Sequence, residues 1–336
     1  MQSVAEQNMP HGPLIDTHQH PIPDYYKRAL ERVGIHGSGE NPWADWSLES
    51  QLELMDETGI AAAVNSIASP GVYFGDNEFA RNLARECNEG AARMVADHPH
   101  RFGAFAILPL PDVEGAIRAA EYALDTLKLD GICLLSHVAG RHLGQPEEDE
   151  LYAELNRRNA VVFIHPLRNQ ATNMPAYNYP SGMTELVLDT TRAIHNLLWN
   201  GTFGKFPNVK WILPHGGGTV PFLVYRMNAM NDRPKVAGQL PGGSVADALR
   251  RMYFDVAEIC SPGPLKCLME LADPGRILFG SDFPFSRHRS PGQDVRSLIA
   301  AFEAFDGWDG AVRRRIESGN ALQLFPRLAQ SITRAL

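Results

Sequence analysis

The sequence predicts a single (β/α)8 barrel, an α/β fold with insertions on its rim and extra helices at its C-terminal end. Three observations carry that prediction. Eight short apolar, strand-like runs recur along the chain and alternate with helix-like segments. The last run still ends in polar groups, as expected where a ring of parallel strands presents chemistry at one face. No linker-like break or fixed-period repeat divides the 336 residues, so one domain over 1–336 is expected, with residues 1–12 as a flexible tail.

The runs, in order, are "LIDTH", "IAAAVNSIA", "RFGAFAILP", "GICLLSH", "VVFIHP", "VKWILPHGG", "MYFDVAE" and "RILFGSDFP". Their length and apolar density suit strands buried on both faces. Residues 47–58, 77–97, 113–127, 149–158 and 184–200 have helical spacing between them. Two longer stretches, 25–45 and 168–182, read as insertions on the rim where a pocket would form. The tail from Asp294 reads as helices packed on the outside of the barrel.

Composition excludes several classes of function. A net charge of −8, from 31 basic and 39 acidic residues without a long basic run, gives no footprint for nucleic acid or an anionic membrane. No apolar run reaches the roughly 18 residues of a membrane span, and "MQSVAEQNMPHG" lacks the basic and apolar regions of a secretion signal, so a cytoplasmic protein is expected. Cys87, Cys133, Cys260 and Cys267 form no C-x-x-C pair and read as buried thiols.

The stretch "LIDTHQHPIPDYY" places Asp16, His18 and His20 at alternate positions. On a strand these share a face, with the histidines about 6.6–6.8 Å apart along the chain, so two imidazoles can hold one metal ion. Pro21 and Pro23 end the strand there. His165 ends the fifth run, His215 the sixth and Asp282 the eighth. Each alone has an ordinary reading as a braced core histidine or a cap. Together, an eight-strand register brings them all to the barrel mouth as one metal site.

These residues resemble the metal-dependent amidohydrolase superfamily, in its decarboxylase branch of aminocarboxymuconate-semialdehyde decarboxylase relatives. "DTHQH", "FIHP", "LPHGGGTVPFLVYR" and "ILFGSDFPF" carry the resemblance over nearly the whole chain, with "RFGAFAILPL" in support. "SIASPGV" and "LDTTRAI" look most like the 6-methylsalicylate decarboxylase type. The resemblance implies that His18, His20, His165 and Asp282 coordinate one divalent ion per subunit, zinc before manganese, with His215 beside it as acid/base or polarising residue. Three imidazoles and a carboxylate leave room for substrate, as an open catalytic site requires. Asp16 is then expected to point inward from deeper in the barrel.

The implied activity is nonoxidative decarboxylation of an aromatic, hydroxybenzoate-like or related carboxylic acid. Asp282 or water on the ion would supply the proton, and His215 would stabilise charge on oxygen. The alternative is a metal hydrolase of a lactone, amide or carbon–carbon bond, since the ligands serve either chemistry; a scaffold would have no need of them. One departure stands out: no arginine lies between Arg32 and Trp46, where the family's substrate-binding arginine falls. A second family arginine, given across a homodimer interface, matches Arg226, and Arg192 is a further candidate for the substrate carboxylate. His137 and His142 read as solvated loop histidines, and Trp43, Trp46, Tyr73, Phe74, Tyr177 and Tyr179 suit a flat ring pocket.

Overall fold

All eight apolar runs form strands. The computed structural model describes residues 13–38, 41–167, 181–229, 243–286 and 294–335. The strands are β1 (Leu14–Gln19), β2 (Ile60–Asn65), β3 (Phe102–Ile107), β4 (Gly131–Leu135), β5 (Val161–His165), β6 (Lys210–Leu213), β7 (Tyr253–Asp255) and β8 (Ile277–Leu278), hydrogen-bonded to one another in that order. All seven successive pairings are parallel. The ring closes beyond β8: Thr17 N–H donates to Phe279 O at 2.9 Å, Asp282 N–H to His18 O at 2.9 Å and His20 N–H to Phe283 O at 2.7 Å. This last ladder holds Asp282 against the two histidines of β1.

Period-two alternation sorts the strand side chains into two cores. Ile15, Ala62, Phe105, Cys133, Phe163, Ile212 and Leu278 fill the bore. Their neighbours, among them Leu14, Ala63, Ile132, Val162, Trp211 and Ile277, pack outward under the helices. These helices are α1 (Leu48–Thr58), α2 (Asn77–Asp97), α3 (Val113–Glu121), α4 (Asp149–Arg157), α5 (Glu185–Trp199), α6 (Val220–Ala229), α7 (Pro262–Leu271) and α8 (Val295–Ala304). Their ends follow local chemistry. Ser47 and Ser50 form a capping box ahead of α1, Gly59 ends that helix at φ 71°, and Asp76 accepts from the N–H groups of Glu78 and Phe79 to start α2.

Two expectations are refined. The 25–45 stretch is not irregular: a helix, Asp24–Glu31, follows β1, and Gly37–Ser38 pairs with Asn41–Pro42 in a two-strand ribbon. The C-terminal helices do not all lie outside. Val295 and Phe302 of α8 pack in the outer core, but Ala321, Leu324, Phe325 and Leu328 join the bore cluster. The Phe325 ring meets Phe105 edge-on at 5.7 Å, and Arg327 makes two hydrogen bonds, of 2.9 and 2.7 Å, to Asp130 just before β4. The end of the chain therefore seals the bore opposite the histidines. Among the described residues, no helix is long and apolar enough to cross a membrane. Of the four thiols, Cys87 and Cys133 are buried and Cys260 and Cys267 half-buried, all unpaired.

Candidate metal centre

His18, His20, His165 and Asp282 converge at the C-terminal ends of β1, β5 and β8, with one potential ligand atom from each lying within 4.8 Å of the others. All four are buried, none more than 5% exposed. Asp282 Oδ1 sits 3.2 Å from His20 Nε2 and 3.5 Å from His18 Nε2. Among the described residues, His18 Nε2, His20 Nε2, His165 Nδ1 and Asp282 Oδ1 have no hydrogen-bond partner. Buried polar atoms without partners are costly, and here the four face one another. A divalent cation shared by three imidazole nitrogens and a carboxylate oxygen would satisfy all of them, so the donor set fits the metal that the sequence led us to expect.

The ring orientations agree with that use. His18 Nδ1 is 2.9 Å from Asp255 Oδ2, and His20 Nδ1 is 3.1 Å from the Ser66 carbonyl. Carboxylates and carbonyls only accept, so both Nδ1 atoms donate and both Nε2 lone pairs turn to the cluster. Burial first, then the nearby His20 and His18, pushes the His165 pKa well below the usual value and keeps that ring neutral, the state a ligand needs. Burial alone would raise the Asp282 pKa. The imidazoles packed round it, His20, His215 and His18, outweigh that and hold it well below the carboxylate range instead.

His215 stands beside this group, with Nε2 3.7 Å from Asp282 Oδ2. Burial opposes its protonation, but Asp282, Asp255 and Glu258 outweigh that and lift its pKa to about 9. The "HGGG" turn places it there. His215 has φ 52°, and Gly216, Gly217 and Gly218 follow at 64°, 78° and 66°. A Cβ on Gly218 would come within 2.3 Å of Val187 O, so that position admits no side chain. Asp282 also has a left-handed φ, of 60°. Such a conformation costs about 1–3 kcal/mol in a residue with a side chain, and the surrounding bonds must hold it.

The structure adds a residue that the sequence reading overlooked. Asp255, at the end of β7, is fully buried; besides His18 it accepts from the backbone N–H groups of His215 at 2.9 Å and Ala257 at 3.0 Å. Glu258 joins His215 and Asp282 in a second group of close ligand atoms. Both lie in "MYFDVAE", a run that ends in acids as the others end in histidines. That signal was available.

Asp16 corrects the expectation drawn from alternation. The register with β2 shifts between Asp16 and Gln19, so the face is not continuous. Its carboxylate accepts from the N–H groups of His18 and Ser281, both at 3.0 Å, and from Gln19 Nε2 at 2.6 Å. Gln19 leads on to Gln51 of α1, so Asp16 braces the backbone from the helix side and does not look into the bore. Burial raises its pKa to about 6, against those hydrogen bonds.

Arg192 and Arg226 are brought together, but away from the cluster. They line a cleft of about 790 Å³ between α5, α6 and the 140–145 loop, whose walls include none of the five cluster residues. Arg192 Nη1 pairs with Glu185 at 3.3 Å. Arg226 is exposed, next to Tyr225 and about one helical turn on from Phe222, which are 86% and 79% exposed. His137 and His142 are not solvated: their nitrogens lie 3.0 and 2.8 Å from the two oxygens of buried Asp189. This trio also has ligand-like composition, but the contacts are hydrogen bonds and leave no ligating atom without a partner among the described residues. Trp43, Trp46, Tyr73 and Phe74 pack in an apolar cluster over β1, β3 and β4, while Tyr177 and Tyr179, with most of the 168–182 stretch, lie outside the described residues.

Comparison with known proteins places the fold. The 6-methylsalicylic acid decarboxylase of Penicillium expansum is 35% identical over 328 residues, 96% of this chain and 98% of that protein. The crystal structure of an amidohydrolase II superposes with a TM-score of 0.85 at 29% identity, covering 93% of this chain and 99% of the other. A dihydroxybenzoic acid decarboxylase from Polaromonas sp., solved with bound manganese and the inhibitor 2-nitroresorcinol, shares the fold with a TM-score of 0.77 at 22% identity, over 94% and 97% of the two chains. A sequence model of the amidohydrolase family matches residues 15–327, nearly the entire barrel and the span that carries His18, His20, His165, His215 and Asp282, and the chain belongs to that family.

Proposed function

We propose that this protein is a metal-dependent, nonoxidative decarboxylase of an aromatic acid of the hydroxybenzoate class. The observation that carries the reading is the buried set of three imidazoles and one carboxylate with unpartnered, facing ligand atoms, in a chain alike over its whole length to a 6-methylsalicylic acid decarboxylase. His18, His20, His165 and Asp282 hold one ion, zinc in first place for a mixed nitrogen and oxygen set, with manganese, the metal of the Polaromonas protein, as the alternative. When bound, the ion supplies positive charge that fixes the acid's oxygens and draws electron density from the ring.

The chain's own residues then divide the work. Asp282 and His215, 3.7 Å apart, are the two groups placed to hand a proton to the ring carbon and to stabilise charge on oxygen. The proton adds to the ring carbon that bears the carboxylate. The carbon–carbon bond to the carboxylate then breaks, its electron pair returns to the ring, and CO2 leaves. Asp255 fixes the backbone of His215 and the ring of His18 at once, keeping His215 aligned with the residues that hold the ion. The substrate carboxylate is met by Arg226 from a second copy in a homodimer. Support comes from the exposed Phe222 and Tyr225 beside it and from its distance from its own cluster, with Arg192 lining the same cleft.

The test is a panel of hydroxybenzoates and simple lactones offered to protein loaded with zinc or manganese, following CO2 release against acid formation. Stoichiometric CO2 and phenol from at least one hydroxybenzoate is the expected result. Lactone opening without CO2 release would make the protein a hydrolase.

A further inference from the structure

We propose that Ser136 and Asp189 are positioning residues for His165: they clamp the backbone just beyond that ring and so set where its nitrogen stands in the metal-binding cluster. The inference rests on the cluster holding a metal, as the proposed function has it, and not on which acid is decarboxylated.

The three histidines of the cluster are held in different ways. The rings of His18 and His20 are turned by partners on Nδ1, Asp255 and the Ser66 carbonyl. His165 Nδ1 has no partner among the described residues. Its ring is wedged edge-on against His20 and His18, with 4.5 and 5.4 Å between centroids, so its place depends on where the backbone carries it. Pro166 follows and has no N–H, which makes the N–H of Leu167 the next backbone donor beyond His165.

The His165 carbonyl and the Leu167 N–H both go to Ser136. Ser136 N–H donates to the carbonyl at 2.8 Å, and Ser136 Oγ accepts from Leu167 N–H at 2.9 Å. One residue thus bonds the chain on each side of Pro166. Strand register puts it there: Leu135, the last residue of β4, pairs with His165, and Ser136 is next. Alternation, with Cys133 in the bore and Leu134 outside it, turns the Ser136 side chain outward to α5.

Asp189 of α5 fixes the serine. Both are fully buried. The Ser136 hydroxyl donates to Asp189 Oδ2, which also accepts from Leu167 N–H at 3.3 Å and from His137 Nδ1 at 3.0 Å, while Oδ1 lies 2.8 Å from His142 Nε2. Having given its hydrogen to the carboxylate, the serine oxygen keeps lone pairs for Leu167. A buried carboxylate is costly unless it is hydrogen-bonded, and a position that only filled space under α5 would be served by an apolar side chain. What the charge supplies is a firm anchor, since hydrogen bonds to an ionised group are about twice as strong as neutral ones. It joins α5, the end of β4 and the chain after His165 into one unit, where a ligand must be held to within about 0.5 Å.

Metal affinity, measured with zinc and manganese by competition against a fluorescent chelator, tests this, and the absorption bands of the cobalt-substituted protein report ligand geometry. Ser136→Ala leaves Leu167 N–H with only its longer contact to Asp189. It should weaken metal binding about tenfold, the low end of the roughly 10- to 100-fold range for residues behind a metal ligand, and shift the cobalt bands. Ser136→Thr keeps the hydroxyl and should restore both. Asp189→Asn keeps the shape without the charge and should shift the bands with a smaller loss of affinity; it carries the test if Ser136→Ala does not fold. Wild-type affinity and unchanged bands in the folded variants, or a loss that Ser136→Thr does not restore, would overturn the assignment. A wild type that binds none of the three metals would refute the metal reading and this inference with it, whereas metal binding without CO2 release from any acid would refute the decarboxylase alone and leave the variants to decide the clamp.

Discussion

Replacing Asp255 by Asn tests the metal centre through a residue that is not itself a ligand. The side chain keeps its shape, and one oxygen can go on accepting from the N–H groups of His215 and Ala257. The other oxygen, 2.9 Å from His18 Nδ1, becomes an amide NH2. Either two donors then face each other, or the His18 proton moves to Nε2, the atom 3.5 Å from Asp282 Oδ1 that a metal needs bare. Losing one hydrogen bond to a charged group costs about 1.5–3 kcal/mol, roughly 10- to 150-fold in affinity. That overlaps the roughly 10- to 100-fold penalty typical of altered partners behind a metal-bound histidine. Competition against a fluorescent chelator, with zinc and with manganese, measures it directly. Asp16→Asn is the control: Asp16 bonds backbone N–H groups and Gln19, so metal affinity should stay close to wild type. An Asp255→Asn protein that is folded and binds both metals as tightly as the wild type would refute the argument that Asp255 sets the tautomer of His18.

Four further outcomes follow from the geometry. His165→Ala should lose metal and turnover together, whereas His215→Ala should keep its metal by elemental analysis while turnover falls about 10²- to 10⁴-fold, the usual scale for a lost acid or base. Inactive Arg226→Ala and inactive His215→Ala proteins should regain activity when their subunits are exchanged, because one pocket of each mixed dimer has both groups; verified mixed dimers without activity would return Arg226 to a surface role. Burial opposes ionisation of Asp189, but hydrogen bonds from His137 and His142 hold its pKa well below the usual range. Its contribution is therefore present above the ordinary carboxylate value near 3.9 and is lost as pH falls toward the native value, so Asp189→Asn should flatten the acid limb of stability against pH. Phe325→Ala should destabilise the fold by about 3–5 kcal/mol in denaturant titrations, as for other buried aromatic truncations.

The barrel was legible because its signal is repetitive: eight apolar runs, helical spacing between them, and a period of two within them. The cluster was legible because histidine and aspartate at four run ends stand out from apolar surroundings. Supporting groups show their chemistry in the sequence but not their partners. Asp255 is defined by a partner 237 positions away, and nothing near it in sequence announces His18. Asp189 sits in a helical segment and reads as an ordinary surface acid until the fold buries it. Asp16 was misplaced because strict alternation assumes an unbroken register, and β1 breaks its register at that point. For the final helices, an amphipathic pattern says that one face is covered but not by what.

The sealed end of the bore carries a consequence for how the chain is made. Ile15 of the first strand and Phe325 near the end share one cluster, as do Phe105 and Leu328. A growing chain on the ribosome therefore exposes the apolar floor of its barrel until residues 321–328 have been synthesised, and only then can that floor be covered. Contacts between such remote segments slow folding and lengthen the time during which sticky intermediates persist. Chains cut short before Ala321 would carry His18, His20, His165 and Asp282 yet be prone to aggregate, so yield in the cell should depend on the helices that bear residues 321–328.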